Sequence, residues 1–235
     1  MASATTGRWA GQRERRRAEF IDAALVVIEQ HGPQTSTEQI AAHVGVSRTK
    51  LYRHFVDASD LQREVAHRTS QMITAELAPV WRPEGSMAQI VHAGVSAHVH
   101  FLTQHPNLYR YLQRCSIDEG FNAFADIKIT IANLLTAVLK VYIAAFDVEA
   151  DAERLSYGIV GLVETAAGHW LEQPRRDTQD ALVADLTRWI WLMLDDSLRA
   201  GGVYVAADEI LPTAAEIAEN SDRYRDPGRL QALNL

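Results

Sequence analysis

The segment TSTEQIAAHVGVSRTKLYRHF, from Thr35 to Phe55, carries the strongest indication of fold in this chain. Two short helical patterns lie on either side of Gly45, with Thr37 and Ser47 placed to cap the first and the second helix. The apolar residues of the segment can all point inward: Ile40, Ala41, Val44, Val46, Leu51 and Phe55. This layout predicts a helix-turn-helix, a motif whose second helix enters the major groove of DNA.

The start of the second helix is rich in side chains that can reach DNA. Arg48, Thr49 and Lys50 stand where such helices meet base edges, and arginine and lysine suit guanine O6 and N7. Hydroxyl, imidazole and basic groups around them can donate to phosphate oxygens. The predicted DNA-contacting residues of the motif are Thr37, Ser47, Arg48, Thr49, Lys50, Tyr52, Arg53 and His54.

A basic segment precedes the motif. GRWAGQRERRR places five arginines against one glutamate between Arg8 and Arg17. A basic arm beside a helix-turn-helix can follow phosphates or enter the minor groove, so Arg15, Arg16 and Arg17 are further candidate DNA contacts. A solvated helix start is an equal alternative for these three residues.

Charge is distributed unevenly along the 235 residues, whose net charge is −7. Residues 1–68 hold ten basic against eight acidic residues, and the remainder holds thirteen against twenty-two. A basic head on an acidic body indicates that only the head meets a polyanion. The single cysteine, Cys115, fits a reducing compartment. Because no apolar run approaches the roughly 18–20 residues of a bilayer span, we expect a cytoplasmic protein without membrane association.

The rest of the chain shows helical periodicity, which predicts an all-α fold of about nine to ten helices. We expect an N-terminal arm and three-helix DNA-binding head over residues 1–57, a ligand-binding and dimerisation body over 58–200, and a tail over 201–235. Beyond the motif, the predicted helices span 12–30, 57–79, 87–104, 106–115, 118–146, 151–172, 179–199 and 212–219.

With these residues in view, the chain resembles the TetR family of bacterial transcriptional regulators. The resemblance rests on AALVVIEQHG, on TEQIAAHVGVSRTKLYRHF and on Leu61, and it is strong over residues 15–65. It implies a homodimer whose two heads bind successive major grooves of a palindromic operator, about 34–36 Å apart. The family's phosphate-contacting positions match Tyr52 and His54. Many members carry a lysine where this chain has Ala58, and the arginine-rich arm offers a substitute for that contact.

Two helices of the body have surfaces suited to close packing. The helix over 151–172 aligns small residues on one side, and glycine weakens a helix by about 1 kcal/mol relative to alanine. The helix over 179–199 is apolar on most sides, so it needs cover on more than one face. The residues predicted at a dimer interface are Gly158, Gly161, Thr165, Gly168, Trp189 and Met193. Close packing within one subunit is the alternative.

The body also contains large apolar side chains with a few polar ones among them. Most are core residues, but a buried polar group needs a partner in the protein or in a ligand. The predicted effector-binding residues are Met72, His98, Phe101, Leu102, Tyr109, Leu112, Phe124, Asn133 and Trp170. An apolar pocket of this kind favours a small lipophilic effector.

The segment GIVGLVETAAGHWLEQP, residues 158–174, resembles TetR-type regulators of actinobacterial fatty-acid synthesis. Such regulators respond to long-chain acyl-CoA. By that resemblance Arg110, Arg114, Arg175 or Arg176 would meet CoA phosphates, although four solvated arginines are the simpler explanation. A drug-like or terpenoid ligand stays open.

The sequence offers little support for an enzyme. The two histidines of HVH, His98 and His100, are about 200° apart on a helix and form a poor metal site. HExxH, GxSxG, P-loop and GxGxxG are absent from the sequence, so we predict no catalytic residue, no metal and no cofactor. A ligand-dependent corepressed or activating regulator, and a sensor that has lost DNA binding, are the remaining alternatives to a repressor.

Overall fold

The computed structural model describes residues 3–81, 84–118, 123–173 and 178–228. These residues form eleven α-helices and one 3-10 helix, Ser221–Tyr224. The helices are α1 (Ser3–His31), α2 (Thr37–His43), α3 (Arg48–Leu51), α4 (Ala58–Glu76), α5 (Ala78–Trp81), α6 (Met87–Gln104), α7 (Pro106–Asp118), α8 (Ala123–Phe146), α9 (Ala152–Glu172), α10 (Gln179–Ala200) and α11 (Ala214–Glu219). The predicted all-α fold with a helix-turn-helix head is confirmed.

Several helix ends differ from the predicted ones. α1 begins at Ser3 rather than near residue 12, although the added stretch contains Gly7 and Gly11 and glycine is a poor helix former. α3 ends at Leu51, and i to i−3 hydrogen bonds then continue the chain to His54 as turns. The predicted helix over 57–79 is divided into α4 and the short α5.

The chain forms two compact units. The first contains Met1–Met72 with Gln104–Ile127, and the second contains Ile73–Thr103 with Lys128–Leu235. The helix-turn-helix therefore shares its compact unit with α7, which packs against α1. The functional boundaries at residues 57 and 200 stay predictions, since compactness does not test where DNA or ligand binding ends.

The structure corrects the expectation that no segment is long and apolar enough to span a bilayer. Phe124–Phe146 is long and apolar enough to cross a membrane by length and composition. Core helices of globular proteins meet the same criteria, and α8 carries the charged residues Lys128 and Lys140. Ile129 and Val141 are exposed on α8, so part of its apolar surface is uncovered in a single chain.

Residues 201–228 of the tail contribute to the core of the second unit. Val203, Val205, Leu211, Ile217 and Tyr224 are buried in one cluster with residues of α8 and α10. Backbone hydrogen bonds join the tail to the start of α6, from Leu211 N to Gly85 O and from Ala88 N to Ala207 O, both 2.9 Å.

Candidate DNA-binding and regulatory sites

The helix-turn-helix is held by a small apolar core within the first unit. Phe20 and Ile28 of α1, Ile40 and Ala41 of α2, and Leu51 of α3 are almost fully buried. Phe55 follows the motif and meets the ring of Phe20 edge to face, with centroids 6.1 Å apart. The predicted inward residues Val44 and Val46 are only partly buried. The core leaves the outer side of α3 free for a partner.

Caps define where the two helices of the motif start. Ser36, rather than Thr37, caps α2, and a capping box with Gln39 completes that end. Ser47 caps α3 as predicted, with Oγ accepting from Lys50 N at 3.3 Å. Gly45 in the turn has φ of +72°, a left-handed conformation that favours glycine.

The predicted base-reading surface is exposed. Arg48, Thr49, Lys50 and Arg53 are all exposed. Tyr52 is partly buried, as is Thr37, whose Oγ1 lies 3.4 Å from the Tyr52 hydroxyl. The head thus presents basic and polar groups from both helices of the motif.

Arg48 already has an anionic neighbour. Its guanidinium pairs with the carboxylate of Glu38 on α2 and lies 5.3 Å from the centroid of the Tyr52 ring. The pKa of Glu38 is lowered first by a hydrogen bond from its own backbone N–H at the start of α2, and further by Arg48. A phosphate or base that binds Arg48 must therefore compete with Glu38, a role that sequence analysis did not identify.

Arg17 requires a correction, because its guanidinium is engaged inside the head. It donates to both carboxylate oxygens of Asp60 at 3.2 Å, to Glu64 at 2.7 Å and to the backbone oxygen of His54. It also lies 4.5 Å from the centroid of the Phe55 ring. The side chain fastens α1 to the start of α4 and is not a free phosphate contact.

The other arm residues behave differently. Arg15 is exposed and forms no ion pair within the described part of the chain. Arg16 pairs with Glu19 and lies 5.7 Å from the centroid of the Phe20 ring. Both guanidinium groups can still reach a phosphate.

His54 is partly enclosed in the head. Its ring is tilted by 45° to the Phe20 ring, with centroids 5.4 Å apart, and Nδ1 is buried without a hydrogen-bond partner among the described residues. Burial lowers the pKa of His54, and the positive charges of Arg13, Arg16, Arg17 and Lys50 lower it further. The imidazole is therefore neutral at neutral pH, so a phosphate contact from His54 would be a neutral hydrogen bond.

α7 is fastened to the end of α1 within the same unit. Asn107 Nδ2 donates to Glu29 O at 2.8 Å, and His105 Nδ1 lies 3.2 Å from the Glu29 carboxylate. Arg114 donates to Pro33 O and to the Gln34 side chain. These bonds satisfy carbonyls near a helix end. Arg114 is thus held against the head, which argues against its predicted contact with CoA phosphates.

The predicted effector residues are divided between the units. In the first unit, Tyr109 and Phe124 meet edge to face with centroids 5.2 Å apart, Leu112 is buried, and Met72 is partly buried. Arg110 is exposed there, and Arg175 and Arg176 lie outside the described residues.

In the second unit, Phe101 and Leu102 are buried on α6, while His98 and Trp170 are partly buried. Asn133 is exposed on α8, which corrects its identification as a polar residue in an apolar interior. The periodicity of the helix did not reveal which side of it faces the core.

A small apolar cavity of about 40 Å³ lies elsewhere in the second unit. None of the predicted effector residues lines it, and its volume is near that of one water molecule. Its walls come from α6, α8, α9, α10 and the α8–α9 loop: Met87, Leu139, Tyr142, Ile143, Phe146, Val148, Ala150, Leu155, Leu194, Ser197 and Leu198.

The predicted dimer surface is largely uncovered in the single chain. Trp189 is 38% exposed and Thr165 and Gly158 are also exposed, with Met193 partly buried beside Gly158. A Cβ added at Gly161 would meet no atom within 4 Å, so no packing inside this chain requires glycine there.

Gly168 differs from the other small residues of α9, because it is buried. The small residues predicted at the dimer interface are therefore divided between the surface of α9 and its buried side. Apolar Tyr157 and Leu192 extend the exposed surface of α9 and α10.

Comparison with known proteins gives a family match within the first unit. Residues 20–65 match the model of a family described as bacterial regulatory proteins of the tetR family. The match contains the helix-turn-helix and the start of α4.

Longer similarities cover most of the chain. An HTH-type transcriptional regulator of Mycobacterium tuberculosis is 29% identical over 197 residues, which are 83% of this chain and 84% of that protein. The HTH-type transcriptional activator FasR of Mycolicibacterium smegmatis is 24% identical over 181 residues, 76% of this chain and 83% of its own.

Among solved structures, the transcriptional regulator FadR of Bacillus subtilis in complex with stearoyl-CoA has a similar fold. Its TM-score is 0.60 at 19% identity, and the match covers 74% of this chain and 96% of FadR. The similarity in fold extends beyond the helix-turn-helix into the helical body.

Proposed function

We propose that this chain, which belongs to the TetR family of bacterial transcriptional regulators, binds a palindromic operator as a homodimer and represses transcription until a lipophilic ligand weakens its hold on DNA. The observation that carries the proposal is the exposed group of Arg48, Thr49, Lys50 and Arg53 on a capped helix-turn-helix. Because operator DNA lies in the bacterial cytoplasm, we propose that the protein is cytoplasmic.

The DNA contacts are of two kinds. Arg48, Thr49 and Lys50 at the start of α3 would read base edges, while Arg15 and Arg16 would bind phosphates beside the groove. Thr37, Ser47, Tyr52 and Arg53 would orient the head through the backbone of the duplex. The capped ends of α2 and α3 support this arrangement because helix N-termini favour anions.

The second copy would cover the exposed surface of α9 and α10. Trp189, Leu192 and Tyr157 leave apolar area open to solvent, and Gly161 leaves room for a close helix. Two such pairs of helices would form a four-helix bundle around a two-fold axis. The bundle would hold the two heads at the spacing of successive major grooves.

A long-chain acyl-CoA is the effector that we favour. FadR of Bacillus subtilis binds stearoyl-CoA in a similar fold, and α6 of this chain offers buried apolar side chains with one enclosed imidazole. The ligand would bind more tightly to dimers whose heads do not match the spacing of successive major grooves. It would therefore lower the population of dimers that can bind the operator. We expect α4, which begins in the first unit and ends in the second, to transmit the effect of the ligand to the head.

Activation is the second candidate function. The relative FasR is a transcriptional activator, and the same head and ligand site serve an activator if the bound form is the DNA-competent one. The direction of the ligand effect distinguishes the two.

Selection of random duplexes by the purified chain tests DNA recognition. We expect an enriched palindrome with half-sites one helical turn apart and a steep loss of affinity with salt. Arg48→Ala and Lys50→Ala should reduce discrimination between that palindrome and a scrambled duplex about ten- to a hundredfold each. If no sequence were enriched, or if both variants discriminated as well as the parent chain, the proposed recognition would be wrong.

Native mass spectrometry with solvent extraction tests the proposed dimer and its ligand. A dimer carrying an acyl-CoA that then alters operator binding supports the proposal. Release of DNA identifies a repressor, and tighter binding identifies the activator. A monomer at micromolar concentration would contradict the dimer.

A further inference from the structure

His98 lies in the middle of α6 on a face that is otherwise apolar. Val95, Phe101 and Leu102, three or four residues away along the helix, are all buried. One turn earlier on this face is Gly94, where an added Cβ would come within 2.7 Å of Val80 Cγ2, so α5 packs closely against α6. The imidazole therefore stands among apolar groups of the second unit.

The Nε2 atom of His98 is enclosed and has no hydrogen-bond partner among the described residues. An unsatisfied buried nitrogen costs about 1–3 kcal/mol, and most such atoms in proteins find a partner. The hydroxyls of Thr69 and Thr136 are satisfied by donating to the carbonyl four residues earlier. Among the described residues, the other buried side-chain atoms without a hydrogen-bond partner are His54 Nδ1, Gln62 Oε1 and Asp195 Oδ1. The unmet requirement of Nε2 points to a group from outside the chain.

From this geometry we infer that Nε2 of His98 anchors one uncharged polar group of the effector, a thioester or ester carbonyl or a hydroxyl, on a ligand that is otherwise apolar. The inference rests on the proposed effector-controlled function and specifies the chemistry of that ligand site. It predicts selection against a free carboxylate, and so separates an acyl ester or thioester from the corresponding fatty acid.

The selectivity follows from charge. Burial alone lowers the pKa of His98 to about 4, so the ring is neutral at neutral pH and offers a hydrogen bond without a balancing positive charge. A carboxylate placed beside it would lose its hydration and gain no counter-ion.

A largely buried carboxylate in the same unit has a different environment. Glu164 of α9 has a side chain only 16% exposed, and it faces the ammonium of Lys128 on α8 at 3.5 Å. An acid in this interior thus has a cation nearby, whereas His98 has no charged group among the causes of its altered pKa. A ligand carboxylate at His98 would lack the nearby cation that Lys128 provides for Glu164.

The test compares four probes of one chain length: dodecanol, methyl dodecanoate, dodecanoyl-CoA and dodecanoate. Binding to the full-length chain is measured by calorimetry at neutral pH, with His98→Phe and His98→Gln as variants. We expect the three probes with neutral polar groups to bind at least about tenfold more tightly than dodecanoate. His98→Phe should lose about five- to tenfold for methyl dodecanoate, and His98→Gln, which keeps a hydrogen-bonding group, should lose less.

Thermal unfolding checks that each variant folds, and His98→Phe should be at least as stable as the parent because it removes an unsatisfied polar atom. The inference is overturned if dodecanoate binds as tightly as its ester, if none of the probes binds, or if His98→Phe binds them unchanged. An operator gel shift is run in parallel. Probes that bind through His98 without altering DNA binding would refute the proposed function alone, and probes that alter DNA binding independently of His98 would refute this inference alone.

Discussion

Arg17 of α1 and Asp60 of α4 form a two-point ion pair, with Nη1 and Nη2 each 3.2 Å from a different carboxylate oxygen. Two-point pairs of this kind fix orientation as well as distance. Asp60 also accepts from Val56 N at 2.9 Å, so the pair fastens the loop that leaves the recognition helix. The arginine next to the DNA-binding surface therefore stabilises the head itself.

Replacing Arg17 should weaken the fold of the head. Arg17→Ala leaves Asp60 and Glu64 without their cation and removes the contact with the Phe55 ring, at a cost of about 1–3 kcal/mol in the free energy of unfolding. Urea denaturation measures the change. Arg17→Lys should restore only part of it, because an ammonium cannot match the two-point geometry.

Arg15 provides the matched control. Arg15→Ala should leave the denaturation midpoint nearly unchanged, since the side chain is exposed and forms no ion pair within the described residues. It should instead reduce the salt dependence of operator binding by about one counter-ion. An Arg15→Ala variant as unstable as Arg17→Ala would contradict the different roles of these two arginines.

Acid should weaken the Arg17–Asp60 pair. The hydrogen bond from Arg17 lowers the pKa of Asp60 below 3.8, so the pair's contribution to stability is complete above that pH. It is lost as the pH falls through the lower pKa of the folded state. Thermal unfolding from neutral to acid pH should show a smaller decline for Asp60→Asn than for the parent chain. Equal declines would show that Asp60 has the same pKa in the folded and unfolded states.

Glu38 should restrain the affinity of the head for DNA. Glu38→Gln frees Arg48 and removes a negative charge near the phosphates, so we expect operator and non-specific affinity to rise about two- to fivefold at low salt. Fluorescence anisotropy at two salt concentrations measures the effect. Asp185→Asn is the control, because Asp185 pairs with Arg188 on α10 of the second unit and is as exposed as Glu38. A similar gain in DNA affinity from both variants would show that the gain comes from the change in net charge alone.

Gly161 should matter for dimerisation rather than for the folding of one chain. Gly161→Leu has open space in the single chain, and leucine favours a helix by nearly 1 kcal/mol over glycine. We expect sedimentation at micromolar concentration to show monomers that retain their helical circular dichroism. Ala184→Leu, at an exposed position about 140° around α10 from Trp189, should remain dimeric. A dimeric Gly161→Leu would place the interface elsewhere.

Arg225 should hold the tail on the second unit. Its guanidinium donates to Gly201 O at 3.1 Å, to Phe146 O at 3.3 Å and to Asp147 O at 3.1 Å, at the ends of α8 and α10. Arg225→Ala should cost about 1–2 kcal/mol, seen as a lower urea midpoint. Arg188→Ala, which removes only an exposed pair within α10, should change the midpoint far less.

The sequence alone determined the all-α class, the helix-turn-helix and the exposed basic start of α3. These features are local, because caps, the turn glycine and the spacing of Ile40, Ala41, Leu51 and Phe55 act within about twenty residues. The helical pattern could not assign faces across the fold. Asn133 occupies the exposed side of α8, and on α9 Gly158 is exposed whereas Gly168 is buried.

Tertiary structure alone decided what each charge does. Arg15 and Arg17 are two residues apart, which is about 200° around a helix, so one faces solvent and the other meets Asp60, 43 residues away. Glu38 reaches Arg48 only because the motif brings α2 against α3. Period and capping depend on neighbours in the chain, whereas ion pairs and burial depend on which helices pack together.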